Sequence, residues 1–397
     1  MTERRCRYLL WVILVSGVCV AVVIAYTTHG DPYDIESLRL VRRSLEAAPL
    51  GVYTGFARAG TPRWPYPPGF FPVIFLAGRL AHAAVPFEFL IRLPSIAADA
   101  ALAWVVHSYL GCRGADARTR LSAVALVSLG PSFLAISGFH GQIDAVAILP
   151  AAIALYVWDR PSSSWSRALP SGLLIGVGAA IKTVPGLFVL ALLPSARSKR
   201  EGATLMIAAL APTLLAFAPY ALTGGLPPLH IFLYRGLPGA GGLSLAVQPD
   251  IAVAVLKIGP EPFSPLSVAV ANHGAIIVAV GLTLTAFVGY AARPPARVMA
   301  VVLWLSVYTF GVNFFFQYVL WGLPFFLMAG YVREVAVVQA ALLGPTLIFY
   351  LRPWHRPIVA IVYAALMILV WAAACAGLAA QGRKLLRHRT VARSTAH

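Results

Sequence analysis

The chain has 397 residues, 59% of them hydrophobic and only 11% charged. So little charge cannot cover the surface of a soluble domain of this length, which excludes that class. The net charge is +17, but the basic residues lie in short segments between apolar runs. That pattern orients a membrane protein and argues against a nucleic-acid partner. Cys6, Cys19, Cys112 and Cys375 have no metal-ligand spacing and imply no disulfide framework.

Arg4, Arg5 and Arg7 precede an apolar run from Tyr8 to Tyr26. The run is long for a signal peptide and lacks a clear small-x-small cleavage site, so it reads as a first transmembrane helix. Further spans are expected near 91–111, 120–138, 144–158, 170–181, 184–194, 202–220, 266–291, 297–312, 318–332, 335–351 and 357–380. The fold class is therefore an all-α polytopic membrane protein of about 12 transmembrane helices, one membrane-embedded domain over 1–397. The segments 170–181 and 184–194 are too short to cross singly and read as a hairpin of half-helices broken around Thr183 and Pro185.

With the N-terminus inside, segments 1–7, 112–119, 159–169, 195–201, 292–296, 333–334 and 381–397 are cytoplasmic. Nearly every one is basic, including Arg160 and Arg167. Residues 69–86 are apolar but contain Arg79 and His82, and read as a helix lying on the outer interface. Residues 27–90 then form a first extracytoplasmic loop bearing amphipathic helices, and 221–265 a second, rich in Gly and Pro. Both termini are expected in the cytoplasm, in a bacterial plasma membrane. Long loops outside a membrane bundle tend to carry function.

The first loop gathers Asp31, Asp34 and Glu36 within six residues of a chain that has 14 acids. A carboxylate at the membrane surface can take the proton of an attacking hydroxyl. The same acids equally suit a helix N-cap and first turn. Trp64-Pro65-Tyr66-Pro67-Pro68 suits a rigid aromatic platform at the lipid boundary, or an ordinary aromatic belt. His140-Gly141-Gln142-Ile143-Asp144 is polar at a span end, where such residues need protein, ligand or water. His140 could bond a phosphate or sugar hydroxyl, and Asp144 could simply start a helix. Lys182 lies inside an apolar stretch beside the break, and its natural partner there is an anion such as a lipid phosphate; snorkelling is the plainer reading. Tyr234 and Arg235 in the second outer loop, and Gln317 in an aromatic cluster, are further candidates for phosphate or sugar contact. No Walker loop, dinucleotide fingerprint or HExxH motif is present.

In this order the clusters resemble the GT-C superfamily of membrane glycosyltransferases, nearest to the branches using dolichyl- or polyprenyl-phosphate mannose or glucose. The likeness rests on Asp34 and Glu36 just after the first span, the Tyr66-Pro67-Pro68 helix start, His140-Gly141-Gln142-Ile143-Asp144, and Lys182 before a proline-broken hairpin. It covers about the first 200 residues in motif order. It implies a hexosyltransferase, mannose foremost, with Asp34 as base, and with Asp31 competing and Glu36 supporting. Lys182, His140 or Arg235 would hold the donor phosphate, and Tyr66, Gln142, Asp144, Tyr234 and Gln317 the substrates. No metal and no cofactor is implied. The implied partners are a polyprenyl-phosphate sugar, a glycan, glycolipid or protein acceptor, and membrane lipids. A transporter or flippase of a lipid-linked sugar would share the spans, the broken hairpin and the buried lysine, but would not need the acidic pair. An assembly subunit with a decayed site is a third reading.

Overall fold

The computed structural model describes residues 2–58, 63–82, 84–161, 163–223, 239–259, 263–351 and 356–394. Among them the regular structure is helical and no strand forms. The chain divides into two compact units, Met1–Val189 with Ala196–Tyr234, and Leu190–Ser195 with Arg235–His397.

Among the described residues, seven helices are long and apolar enough to cross a bilayer: Glu3–Thr27, Phe87–Cys112, Ala117–His140, Lys199–Leu222, Gly274–Ala292, Val332–Leu351 and Pro357–Arg387. The other expected spans are helical too, but shorter or interrupted, among them Asp144–Trp158, Ala296–Phe310 and Phe316–Met328. Thus the region 266–291 breaks between Pro265–Asn272 and Gly274–Ala292, where His273-Gly274 interrupts it.

In the first unit, α1 (Glu3–Thr27) is followed by α2 (Pro32–Ala47). The Asp31 side chain caps α2, accepting from the Tyr33 and Asp34 amides, and Pro32 takes the first turn where its missing N–H costs nothing. Ile35, Leu38, Val41 and Leu45 recur at helical spacing and are buried, while Glu36, Arg39 and Arg43 line the other face. Ala48 leaves the helical region before Pro49, as the residue preceding a proline tends to do.

After α3 (Val52–Arg58) comes a 3-10 turn, Pro68–Phe70, leading into α4 (Phe71–Leu80). The expected helix at 69–86 is thus present but ends at Leu80. Trp64, Phe70, Phe71 and Ile74 join the buried face of α2, Tyr53, Phe87 and Tyr220 in one core. A Cβ on Gly69 would collide with the carbonyl of Ala180, so glycine lets this turn approach the helix end that carries Lys182.

α5 (Phe87–Leu90) leads into α6 (Leu93–Cys112), and then α7 (Ala117–Ser128). Gly130-Pro131 ends α7, because proline has no N–H to continue it. A short α8 (Pro131–Phe133) opens into a π-helical turn, Leu134–His140, closed by Gly141 at φ +91°. Such turns are rare and cluster at functional sites. α9 (Asp144–Trp158) and α10 (Ser164–Ile181) follow, and α10 stops at Lys182 in extended backbone, ahead of the 3-10 turn Val184–Phe188 and α11 (Val189–Leu192). The expected break is present, but α10 begins at Ser164.

That start corrects the reading of Arg167 as a cytoplasmic loop charge. It is buried and forms a two-pronged ion pair with Glu201 of α12 (Lys199–Leu222), at 2.6 and 3.0 Å. Glu201 also returns to the start of α12, where its amide bonds the Ser198 hydroxyl at 3.1 Å.

In the second unit, Gly274–Ala292, Ala296–Phe310, Val332–Leu351 and Pro357–Ser394 are the long elements. Trp304, Tyr308 and Phe325 form a buried aromatic stack, with Trp304 and Phe325 centroids 5.7 Å apart.

Candidate active site

Asp34 sits in the first turn of α2, on the side that meets the end of the π-turn. Its Oδ2 is hydrogen-bonded by His140 Nε2 and accepts from Gln142 Nε2 at 2.7 Å. His140 is buried, whereas the Asp34 side chain keeps 24% of its exposure. The carboxylate faces a cavity of about 30 Å³ whose walls include Tyr33, Arg63, Trp64, Tyr66 and Gln142. Burial on its own would push the Asp34 carboxyl up. The adjacent imidazole, the Gln142 amide and the Lys182 ammonium outweigh it and hold the group below the usual carboxylate range.

The helix separates the three acids of the first loop. At about 100° per residue, positions 34 and 36 point to nearly opposite faces. Glu36 therefore leaves the cavity and pairs with Arg43 at 2.8 Å and Arg39 at 3.5 Å, which corrects its expected place beside the base. Asp31 Oδ1 is used by the N-cap, 3.0 Å from the Tyr33 amide. One ligand atom from each of Asp31, Asp34 and His140 lies within 4.8 Å of the others. That is the donor set among the described residues nearest to a cation site, but atoms of each are engaged by the cap, by Gln142 and by one another.

Lys182 and Asp144 form a second pair, Nζ to Oδ1 2.6 Å, with side-chain exposures of 5% and 0%. The ammonium also stands 4.8 Å from the Tyr66 ring centroid, so the aromatic wall of the cavity rests on this ion pair. The anion expected beside Lys182 was a lipid phosphate; the partner it has in the structure is the Asp144 carboxylate. Asp144 is the first residue of α9, as its helix-start reading expects, and is in addition the counterion of Lys182, a role the sequence did not suggest.

Six candidates, Asp34, Tyr66, His140, Gln142, Asp144 and Lys182, come together in the first unit. Gln317 is buried in a 3-10 turn, Phe316–Trp321, of the second unit. Tyr234 and Arg235 lie outside the described residues.

Two arginines at this site escaped the sequence reading. Arg63 lines the cavity, with its guanidinium 4.6 Å from the Tyr33 ring centroid. Arg92 is fully buried and donates to the carbonyls of Ala25 (2.5 Å), Thr28 (2.6 Å), Gly138 (3.1 Å) and Phe139 (3.1 Å). It satisfies carbonyls at the C-terminal ends of α1 and of the π-turn, which have no partner within their own helices. Ser95 adds a bond to the Gln142 carbonyl at 2.7 Å. Together they set the backbone from which His140 and Gln142 reach Asp34. An arginine just inside an apolar span was the available signal for Arg92.

Residues 64–312 match the family model described as Glycosyltransferase family 87. No curated protein matches the chain. Among solved structures, the chain is similar to the crystal structure of ArnT from Cupriavidus metallidurans bound to undecaprenyl phosphate. The identity is 14%, with 95% of this chain and 77% of that one covered and a TM-score of 0.51. This is a likeness of fold, of the polytopic GT-C type.

Proposed function

The chain belongs to glycosyltransferase family 87, and on that premise we propose that it moves a hexose, mannose foremost, from a polyprenyl-phosphate donor to an acceptor hydroxyl, with Asp34 as base. The observation carrying this is the Asp34 carboxylate, oriented by His140 and Gln142 and kept ionised at a cavity wall made of aromatic rings. Of the titratable groups in the cluster, Asp34 alone is both unprotonated and facing the cavity. His140 stands behind it, and Asp144 is neutralised by Lys182.

The acceptor oxygen attacks the anomeric carbon as the bond to the phosphate oxygen breaks. The hydroxyl proton passes to Asp34, and the lipid phosphate leaves with the bonding electrons. A single displacement of this kind inverts the anomeric centre. A base with so low a pKa accepts the proton late, as the new C–O bond makes the hydroxyl acidic. The acceptor is a glycan, glycolipid or protein.

The same reading puts residues 27–90 and 221–265 on the extracytoplasmic side of a plasma membrane, with both termini in the cytoplasm. Its support is the charge at the short connections, such as Arg113 after α6 and Arg118 in the first turn of α7, and Arg293 after Gly274–Ala292.

The test is transfer from polyprenyl-phosphate mannose, beside the glucose donor, by protein reconstituted in liposomes. Asp34→Asn should lower the rate by about 10²–10⁴-fold with an unchanged elution profile. Wild-type rates in that variant would remove Asp34 as the base. Movement of donor across the bilayer without transfer would favour a transporter.

A further inference from the structure

We infer that Arg63 is the side chain that receives the phosphodiester of the lipid-linked donor. The inference rests on the reading of Asp34 as the base of a lipid-phosphate-dependent transfer.

A phosphate delivered beside an ionised carboxylate requires a cation that is not already neutralised. The charges of the cluster are otherwise spent. Lys182 is held by Asp144 at 2.6 Å, and His140 is bonded to Asp34. Arg63 lines the same cavity as Asp34 and makes no ion pair with any described residue. Its guanidinium rests on the ring of Tyr33, 4.6 Å from the centroid, and Tyr33 is itself 60% exposed. A cation stacked on an exposed ring is weakly held, and its planar fork remains available for two phosphate oxygens.

The size of the cavity points the same way. About 30 Å³ admits a water but not a sugar phosphate. The other walls are fixed from behind: Trp64 and Ile143 belong to the buried core, and Gln142 is tied to Asp34 and Ser95. Arg63 touches the exposed Tyr33 ring and forms no ion pair with a described residue, so the donor enters as the guanidinium exchanges the Tyr33 ring for the phosphate. This puts the leaving group on Arg63 and the attacking hydroxyl on Asp34, two charges of opposite sign on one cavity. The positive one stabilises the phosphate as it departs.

The experiment compares binding of farnesyl phosphate and farnesol to detergent-purified wild type, Arg63→Ala and Arg63→Lys. Transfer from the full donor is measured in parallel. Wild type should prefer the phosphate, and the preference should weaken as salt is raised. Arg63→Ala should lose about tenfold to a hundredfold in phosphate affinity, the range of a charge-assisted bond, with farnesol binding unchanged. Arg63→Lys should recover only part, because it keeps the charge but not the fork. Active Arg63→Ala with wild-type phosphate affinity would overturn the assignment while leaving Asp34 in place. A wild type that shows neither transfer nor phosphate preference would instead overturn the reading on which it rests.

Discussion

Replacing Lys182 by methionine separates two roles for this residue, as counterion and as phosphate ligand. The ammonium lies 2.6 Å from Asp144 Oδ1, with 5% and 0% of the two side chains exposed. Removing one partner of a buried pair leaves an uncompensated charge, at a cost of about 3–5 kcal/mol. The ammonium's contact with the Tyr66 ring is lost as well. At about 2–4 °C per kcal/mol for a domain of 150–250 residues, the apparent midpoint should fall by about 6–20 °C. The assay is thermal unfolding in detergent at one fixed scan rate, since the unfolding of such a protein is a rate as much as an equilibrium. Asp144→Asn should destabilise in the same direction. The double variant Lys182→Met/Asp144→Leu should regain most of the loss, because no buried charge is then left alone. A Lys182→Met protein with a wild-type midpoint and a raised donor KM would refute the argument and return Lys182 to the phosphate.

Arg92→Met should lower the midpoint by a comparable amount, since five carbonyls lose their donor; at a temperature where it is folded, it should also slow transfer, because His140 and Gln142 hang from the same backbone. Glu201→Gln should destabilise by about 3–5 kcal/mol through the stranded Arg167, and limited proteolysis near the start of α12 should report it. The pH profile follows from the sign of the Asp34 shift. Its folded pKa lies below the ordinary value, so the base stays ionised, and kcat/KM should hold its plateau, as pH falls through the usual carboxylate range near 4. The acid limb should appear only below that. The stabilisation that accompanies the shift is present above the unfolded pKa and is lost as pH falls through the folded one. An acid limb centred near pH 6 would mean that another group is the base.

The helical, membrane-spanning character was legible in the residues themselves. It depends on local hydropathy and on proline and glycine punctuation, both of which act over one or two turns. The break after α10 was readable for that reason, at Lys182 before Pro185. So was the set of polar islands, because polar groups are costly in apolar surroundings wherever the chain takes them.

What the tertiary structure alone decided is how those islands pair. Asp34 meets His140 and Gln142 across more than a hundred residues, and Lys182 meets Asp144 across 38. Helix geometry sent Glu36 to the arginines and left Asp31 as a cap, a division that spacing in the sequence does not express. Arg167, read as a loop charge, became a buried counterion because α10 begins at Ser164 rather than near 170, nearly two turns earlier, and meets Glu201. Composition sets how many charges a membrane chain carries. Only the packing of distant helices determines which charge neutralises which, because that energy depends on distances that no local window contains.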